Sequence, residues 1–183
     1  MRLVNVEEIY MKIVVTGANG YLGTGIVKQL CDDGNEVIAV CHHDSEEIDK
    51  RAKVVKCDIF SVEDPFCEFE SPDILLHLAW RNGFVHNDTS HVMDPESLYG
   101  ISKDALRNMT KLICKNHNVI FQWLRGYYIV GNTEHGCSIF SKITVAEKEG
   151  KKLFPFTSGQ NQWDFIDYNE FSQQVSAAIE QSE

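Results

Sequence analysis

Short apolar runs alternate with amphipathic or polar stretches along most of the chain. Four runs rich in Val, Ile and Leu are predicted as buried strands: 12–16, 36–40, 53–58 and 74–79. The stretch 22–30 places Leu22, Ile26, Val27 and Leu30 on one helical face, and a polar, helix-like stretch follows the second run. Strands that alternate with helices predict an α/β fold with a parallel, doubly wound sheet and right-handed crossovers.

The second half of the chain predicts further elements with a looser pattern. Asp94 and Pro95 suit the start of a helix as N-cap and first residue, and residues 98–113 give that helix an apolar stripe. The following segments are predicted as a fifth strand, a helix, a short strand and a final helix: 118–124, 140–150, 163–166 and 169–181. Residues 1–10 show no period and are interpreted as an extension before the fold.

Three glycines stand between the first strand and the first helix. Gly17, Gly20 and Gly23 have the spacing G-x-x-G-x-x-G. Glycines at this place allow a tight turn, close approach of the backbone to a pyrophosphate, and close packing of helix on strand. The N-terminus of the helix then offers N–H groups to the negative charge. The loop therefore predicts a site for a dinucleotide.

The segments after the second and third strands bear on the rest of that ligand. An acid that binds a ribose hydroxyl is expected after the second strand, where this chain has His42, His43 and Asp44. Asp44 can serve as that acid, or the two histidines can favour a 2′-phosphate, so NAD and NADP both stay open. Asp58 ends the third strand, where it suits either a hydrogen bond to the adenine amino group or a turn or helix cap.

Tyr99 and Lys103 form a candidate acid/base pair. Four residues apart on a predicted helix, they point to the same face. A lysine ammonium stabilises a neighbouring phenolate and lowers the tyrosine pKa from about 10, which suits proton transfer near neutral pH. The same lysine can hold a ribose hydroxyl.

Composition and charge narrow the classes of partner. The 183 residues carry a formal net charge of −10, which argues against nucleic-acid binding. No run approaches the ~18 apolar residues of a membrane span. The six cysteines form no C-x-x-C pair and, like the histidines, show no metal-ligand spacing, so we expect no metal site and reduced thiols in a cytoplasmic protein.

Several motifs together resemble the extended short-chain dehydrogenase/reductase superfamily. They are TGANGYLG at 16–23, Asp58 in KCDI, HLAW at 77–80, YGISK at 99–103, LRGYYIVG at 124–131 and FPFTSGQNQWDFIDYNEF at 154–171. Within the superfamily they are most similar to the NAD(P)-dependent epimerase/dehydratase group that acts on nucleotide sugars. The resemblance implies a Rossmann-like domain over 11–131, a partial substrate-binding portion over 132–183, hydride transfer with NAD or NADP, and a nucleotide-sugar substrate. A homodimer is left open.

The resemblance also assigns roles to residues. Tyr99 is the implied acid/base and Lys103 its helper. The implied cofactor-binding residues are Gly17, Asn19, Gly20, Tyr21, Leu22, Gly23, His42, Asp58, Ile59, Leu78, Ala79, Trp80 and Lys103. Among them, Leu78, Ala79 and Trp80 are expected to line the path of the cofactor at the end of the fourth strand.

One departure from the family pattern concerns the segment before Tyr99. The family places a helix and a strand between its HLA motif and its tyrosine, and that strand delivers a catalytic Ser or Thr. Here only residues 81–98 intervene, with Thr89, Ser90 and Ser97 as the candidate hydroxyls. The chain therefore resembles a family member with a missing internal segment and a short C-terminal portion. The alternative to an enzyme is a catalytically impaired dinucleotide-binding protein of the same fold.

Overall fold

A computed structural model describes most of the chain from Tyr10 onward. The described residues are 10–43, 45–80, 98–132, 138–156, 158–160, 162 and 164–181. By contact they fall into two compact units. One contains the residues up to Ala79 together with Gly126–Ala178, and the other contains Trp80–Arg125 and the residues from Ile179 onward. The proposed boundary between 131 and 132 stays a prediction.

The first unit contains a four-stranded parallel sheet. Its strands are β1 (Lys12–Thr16), β2 (Glu36–Cys41), β3 (Lys53–Lys56) and β4 (Ile74–His77). Their order is β3-β2-β1-β4, with β1 paired to β2 on one side and to β4 on the other. All four predicted strands and the α/β class are confirmed, but the predicted burial holds only for β1 and β2. β3 and β4 are the edge strands of the described sheet and expose Val54 and Leu75. Because β1 is central, Ile13, Val14 and Val15 are fully buried.

Helix α1 (Gly23–Asp32) makes the first crossover, and Ile26, Val27 and Leu30 on its apolar face are fully buried. The predicted polar helix after β2 is wrong, because the described residues between β2 and β3 form turns. The carboxylate of Asp49 accepts a hydrogen bond from the backbone N–H of Arg51 at 2.9 Å, and such local bonds compete with helix formation. A short helix, α2 (Pro65–Glu68), precedes β4.

Helix α3 (Leu98–Asn116) belongs to the second unit and carries Tyr99 and Lys103. Its predicted start at Asp94 and Pro95 lies outside the described residues. Asn118 follows the helix with φ +55°, a left-handed conformation that asparagine tolerates at helix ends. The predicted strand over 118–124 is wrong: no part of the described chain pairs with this segment, and a strand exists only through its ladder of hydrogen bonds.

The last part of the first unit is a small parallel pair of strands with two helices. Strand β5 (Tyr128–Val130) pairs with β6 (Phe165–Asp167), and the helices are α4 (Ile139–Lys148) and α5 (Tyr168–Glu180). The two helices and β6 confirm the predicted elements with ends shifted by one or two residues, whereas β5 was not predicted as a strand. Within the described residues, no helix is long and apolar enough to cross a membrane.

Candidate functional site

The loop from Gly17 to Gly23 is held by close backbone contacts. Gly17 has φ +70°, and a Cβ atom there would lie 2.8 Å from the backbone nitrogen of Ala79. The N–H of Gly20 donates to the carbonyl of Gly17 at 3.0 Å, which closes the turn. A Cβ atom on Gly23 would lie 2.3 Å from the Gly17 carbonyl oxygen. All three glycines therefore belong to one tight turn, and Gly17 and Gly23 have no room for a side chain.

The turn opens onto the N-terminus of α1. Its N-cap residue, Leu22, makes no capping hydrogen bond with its side chain, and the first turn of the helix contains no acidic residue. The partial positive charge of this helix end is thus not neutralised by a carboxylate of α1 itself. Backbone N–H groups at such an end bind the phosphates of a nucleotide.

The hydroxyl of Tyr168, the first residue of α5, contacts the first turn of α1. The backbone N–H of Gly25 donates to the phenol oxygen of Tyr168 at 2.7 Å, and Thr24 Oγ1 lies 2.8 Å from the same oxygen. Tyr21 in the loop donates its hydroxyl to the carbonyl of Gly131 at 2.9 Å. The rings of Tyr21 and Tyr168 also contact each other, with centroids 5.3 Å apart. Residues near β5 and α5 therefore support the glycine loop.

The ends of β1 and β4 are joined beside the loop. Thr16 Oγ1 lies 2.7 Å from His77 Nδ1 and accepts a longer hydrogen bond, 3.4 Å, from the N–H of Ala79. Leu78 and Ala79 are half-buried at this place. The structure thus brings two of the three residues predicted to line the cofactor path next to Gly17.

The residues predicted for the adenosine end of the site follow β2 and β3. His42 and His43 are exposed after β2, and the side chain of Asn19 donates to the carbonyl of His43 at 3.2 Å. Asp44 lies outside the described residues. Asp58 accepts the N–H of Phe60 at 3.0 Å, which is the turn role that the sequence left open. This bond uses one carboxylate oxygen, and the adenine role stays a prediction.

Ile59 is half-buried and packs against the apolar cluster of Val14, Ile38, Val40 and Phe69. Its side chain therefore packs against the apolar core of the sheet. A direct contact between Ile59 and a cofactor stays a prediction.

Tyr99, Lys103 and Trp80 meet in the second unit. Lys103 Nζ lies 3.7 Å from the centroid of the Trp80 ring and 5.9 Å from that of Tyr99. The rings of Trp80 and Tyr99 are 5.5 Å apart and nearly perpendicular. Burial lowers the pKa of Lys103 below its usual value. The predicted pairing of Tyr99 and Lys103 on one helical face is confirmed, and Trp80 is a third member of the cluster.

Two contributors were not predicted from the sequence. Thr16 stands in the first strand and in the TGANGYLG motif without an assigned role, and Tyr168 stands just before the predicted final helix. The motif around Tyr168 was noted for its resemblance, but its contact with Gly25 spans 143 residues of sequence. No local pattern signals such a contact. Thr89, Ser90 and Ser97, the candidate hydroxyls, lie outside the described residues.

Comparison with known proteins bears directly on this site. A curated relative, the dTDP-6-deoxy-L-talose 4-dehydrogenase (NAD(+)) of Aggregatibacter actinomycetemcomitans, is 31% identical, with 92% of this chain and 80% of the relative covered. Among solved structures, a UDP-N-acetylglucosamine 4-epimerase from Bacillus cereus matches with TM-score 0.75 at 17% identity, covering 93% of this chain and 74% of that one. An NAD complex of a dTDP-glucose 4,6-dehydratase from Bacillus anthracis str. Ames matches with TM-score 0.77 at 15% identity, covering 94% and 73%. These structures confirm the Rossmann-like fold.

The family match has a break in it. The model of the NAD dependent epimerase/dehydratase family matches residues 13–91 and, separately, 84–183. The alignment with the curated relative extends over 216 residues, although this chain has only 183. The relative therefore has residues inside the aligned region that this chain lacks. Together the two matched ranges take in nearly the whole chain, and the chain belongs to the NAD-dependent epimerase/dehydratase family.

Proposed function

We propose that the chain is an NAD-dependent epimerase, dehydratase or reductase that acts on a nucleotide sugar. The observation that carries the proposal is the cradle of Gly17, Gly20 and Gly23 at the N-terminus of α1. Here the space that a Cβ atom would need at Gly17 or Gly23 is already taken by backbone. A backbone this close-packed, with N–H groups at a helix end, fits the pyrophosphate of NAD.

The residues proposed to hold the cofactor follow from this cradle. The loop residues Asn19, Tyr21 and Leu22 surround the pyrophosphate position, and Asp58 with Ile59 serves the adenine end. Leu78 and Ala79 lie beside Gly17, where they limit the approach to the loop. NAD held by these residues would supply a reversible hydride acceptor for a sugar carbon.

Tyr99 and Lys103 are proposed to handle the proton. The Tyr99 phenolate takes the proton of the sugar hydroxyl as that carbon is oxidised, and the phenol returns it in the reverse direction. Lys103 stabilises the phenolate by its positive charge and donates a hydrogen bond to a ribose hydroxyl. The neighbouring positions of the two side chains on α3 support this division of work.

The substrate class rests on the relatives. The curated relative is a dehydrogenase of a dTDP-linked deoxy sugar, and the solved structures include a UDP-sugar epimerase and a dTDP-sugar dehydratase. We therefore propose a UDP- or dTDP-linked hexose as substrate. The product formed from the member that is turned over gives the reaction subtype.

A second candidate is a dinucleotide-binding protein of the same fold with impaired catalysis. The break in the family match falls at 84–91, inside the interval where the family supplies the strand with its catalytic Ser or Thr. Without that hydroxyl, the substrate oxygen lacks a hydrogen-bond donor beside the phenol. The cradle for NAD is unaffected by this difference.

One experiment separates the two candidates. The purified chain is incubated with NAD and each member of a panel of UDP- and dTDP-hexoses, and NADH absorbance and new sugar products are followed. In parallel, NADH fluorescence measures binding. Turnover of one sugar supports the enzyme, binding without turnover supports the impaired protein, and no NADH binding contradicts both.

Three finer expectations stay predictions. Titration with NADPH, compared with NADH, tests whether His42 and His43 favour a 2′-phosphate.

Light scattering tests the homodimer, for which the exposed apolar side chains of α3, such as Leu112 and Ile113, offer a surface. Free thiols at five described cysteines, Cys31, Cys41, Cys57, Cys67 and Cys114, support the proposed cytoplasmic location.

A further inference from the structure

Trp80 directly follows the HLA residues after β4. Two side chains of α3, Lys103 and Tyr99, contact its indole ring. The Lys103 ammonium lies 3.7 Å from the ring centroid, well inside the roughly 6 Å over which a cation is attracted to an aromatic face. The Tyr99 ring meets the same indole at an interplanar angle of 85°. One tryptophan thus contacts both members of the proposed acid/base pair.

The contact with the Trp80 ring matters for Lys103 because the lysine side chain is partly removed from solvent. Lys103 is half-buried, and within the described part of the chain no carboxylate forms an ion pair with it. A buried ammonium without a counter-ion loses hydration that something must replace. The electron-rich face of an indole is the strongest of the aromatic partners for a cation. Within the described residues, Trp80 therefore compensates for part of the hydration that the Lys103 ammonium loses.

The contact also limits where the two side chains can go. A lysine has four rotatable bonds and a solvated one samples many positions. A perpendicular ring contact is worth about 0.5–1.5 kcal/mol beyond the buried area, so the Tyr99 ring is restrained as well. With both held against one indole, the ammonium and the phenol keep a fixed relation to each other.

We propose that Trp80 is a positioning residue, which holds the Lys103 ammonium on its indole face and the Tyr99 ring at its side, and which acts on the cofactor through Lys103. The inference rests on the proposed function for the roles of Tyr99 and Lys103. It differs from the expectation that Trp80 lines the cofactor path by direct contact, because one indole face is covered by the lysine.

The position of Lys103 can be tested without activity. The protein is labelled with 13C at the lysine ε-carbon, and the attached protons are observed by NMR. The ring current of an indole shifts protons that lie above its face upfield. We expect one upfield-shifted lysine signal, assigned by its loss in Lys103→Arg. Trp80→Leu should move that signal to the range of the exposed Lys111, and Trp80→Phe should keep part of the shift. Trp123→Leu, the loss of a different tryptophan, should leave the signal in place.

The action through Lys103 is tested by a double-mutant cycle on NADH binding. Trp80→Leu is expected to raise the NADH dissociation constant about three- to tenfold, Trp80→Phe less, and Trp123→Leu not measurably. In a Lys103→Met background, Trp80→Leu should add little, because its effect passes through the missing ammonium. Fully additive effects would mean direct contact with the cofactor and would overturn the inference.

The two proposals fail in different ways. If the wild-type chain binds no NADH, the proposed function is contradicted, and the lysine signal alone decides the role of Trp80. If NADH binds but no lysine signal is shifted upfield, or Trp80→Leu leaves the shift unchanged, the positioning role is contradicted while the proposed function stands. Trp80→Phe serves where Trp80→Leu does not fold.

Discussion

The phenol oxygen of Tyr168 lies 2.7 Å from the backbone nitrogen of Gly25, so a side chain at the start of α5 caps the helix that follows the glycine loop. The residue in front of the ring must be small, because a Cβ atom on Gly25 would lie 2.4 Å from Tyr168 Cε1. Tyr168 is buried, with 8% of its surface exposed. The C-terminal part of the first unit therefore takes part in building the start of α1 beside the glycine loop.

Removing this hydroxyl tests its contribution. Tyr168→Phe keeps the ring and leaves the N–H of Gly25 without its acceptor, so we expect the free energy of unfolding to fall by about 1 kcal/mol. Thr24→Val removes the threonine hydroxyl that contacts the phenol oxygen of Tyr168. Denaturant unfolding of both single variants and the double variant should show non-additive losses, whereas simple addition would mean that the two hydroxyls act independently.

The close approach at Gly17 has a matched control in the chain. Gly17 and Gly150 both have φ +70°, but a Cβ atom on Gly150 would meet nothing within 4 Å. Both alanine variants pay the cost of a left-handed alanine, about 1 kcal/mol, and only Gly17→Ala adds the clash with Ala79. We expect thermal unfolding to show a clearly larger loss for Gly17→Ala. Equal losses would show that the loop yields without cost.

Lys103 is expected to contribute its charge to cofactor binding. Lys103→Met removes a charge-assisted hydrogen bond to a ribose hydroxyl and should raise the NADH dissociation constant about tenfold. Lys111→Met removes an exposed lysine two turns further along α3 and should change the constant less than twofold. Equal effects of the two substitutions would assign the loss to net charge rather than to a contact.

The pH dependence of binding follows from the lowered pKa of Lys103. Burial favours the neutral amine, so the ammonium loses its proton at a pH below the usual 10.5. Its contribution to NADH binding is present below that lowered pKa and is lost as the pH rises through it. We expect NADH affinity to fall on the alkaline side, with a smaller fall in Lys103→Arg, since a guanidinium stays charged. A wild-type profile parallel to that of Lys103→Arg would contradict this assignment.

The core of the fold could be predicted from the sequence because its signals are local. β1 and β2 are short apolar runs buried by their neighbours, β4 is an apolar run at the edge of the described sheet, and the glycine spacing marks the turn between β1 and α1. The predicted strand at 118–124 failed for a non-local reason. An apolar run becomes a strand only with a partner, and none pairs with it in the described part of the chain.

The site was predictable to a similar extent. Spacing placed Tyr99 and Lys103 on one face of α3, since helical geometry fixes the relation between residues four apart. Neither the indole of Trp80 over Lys103 nor the phenol of Tyr168 on Gly25 follows from spacing, because each contact joins separate segments of the chain. Tertiary contacts of this kind become visible only in the folded molecule.

The central claim is that the glycine loop of this chain binds NAD, and a fluorescence titration of the purified chain with NADH tests it most directly. We predict a saturable rise in NADH emission with a dissociation constant well below about 1 mM, and competition by NAD. No saturable change up to millimolar NADH, in a chain shown by circular dichroism to be folded, would contradict the account.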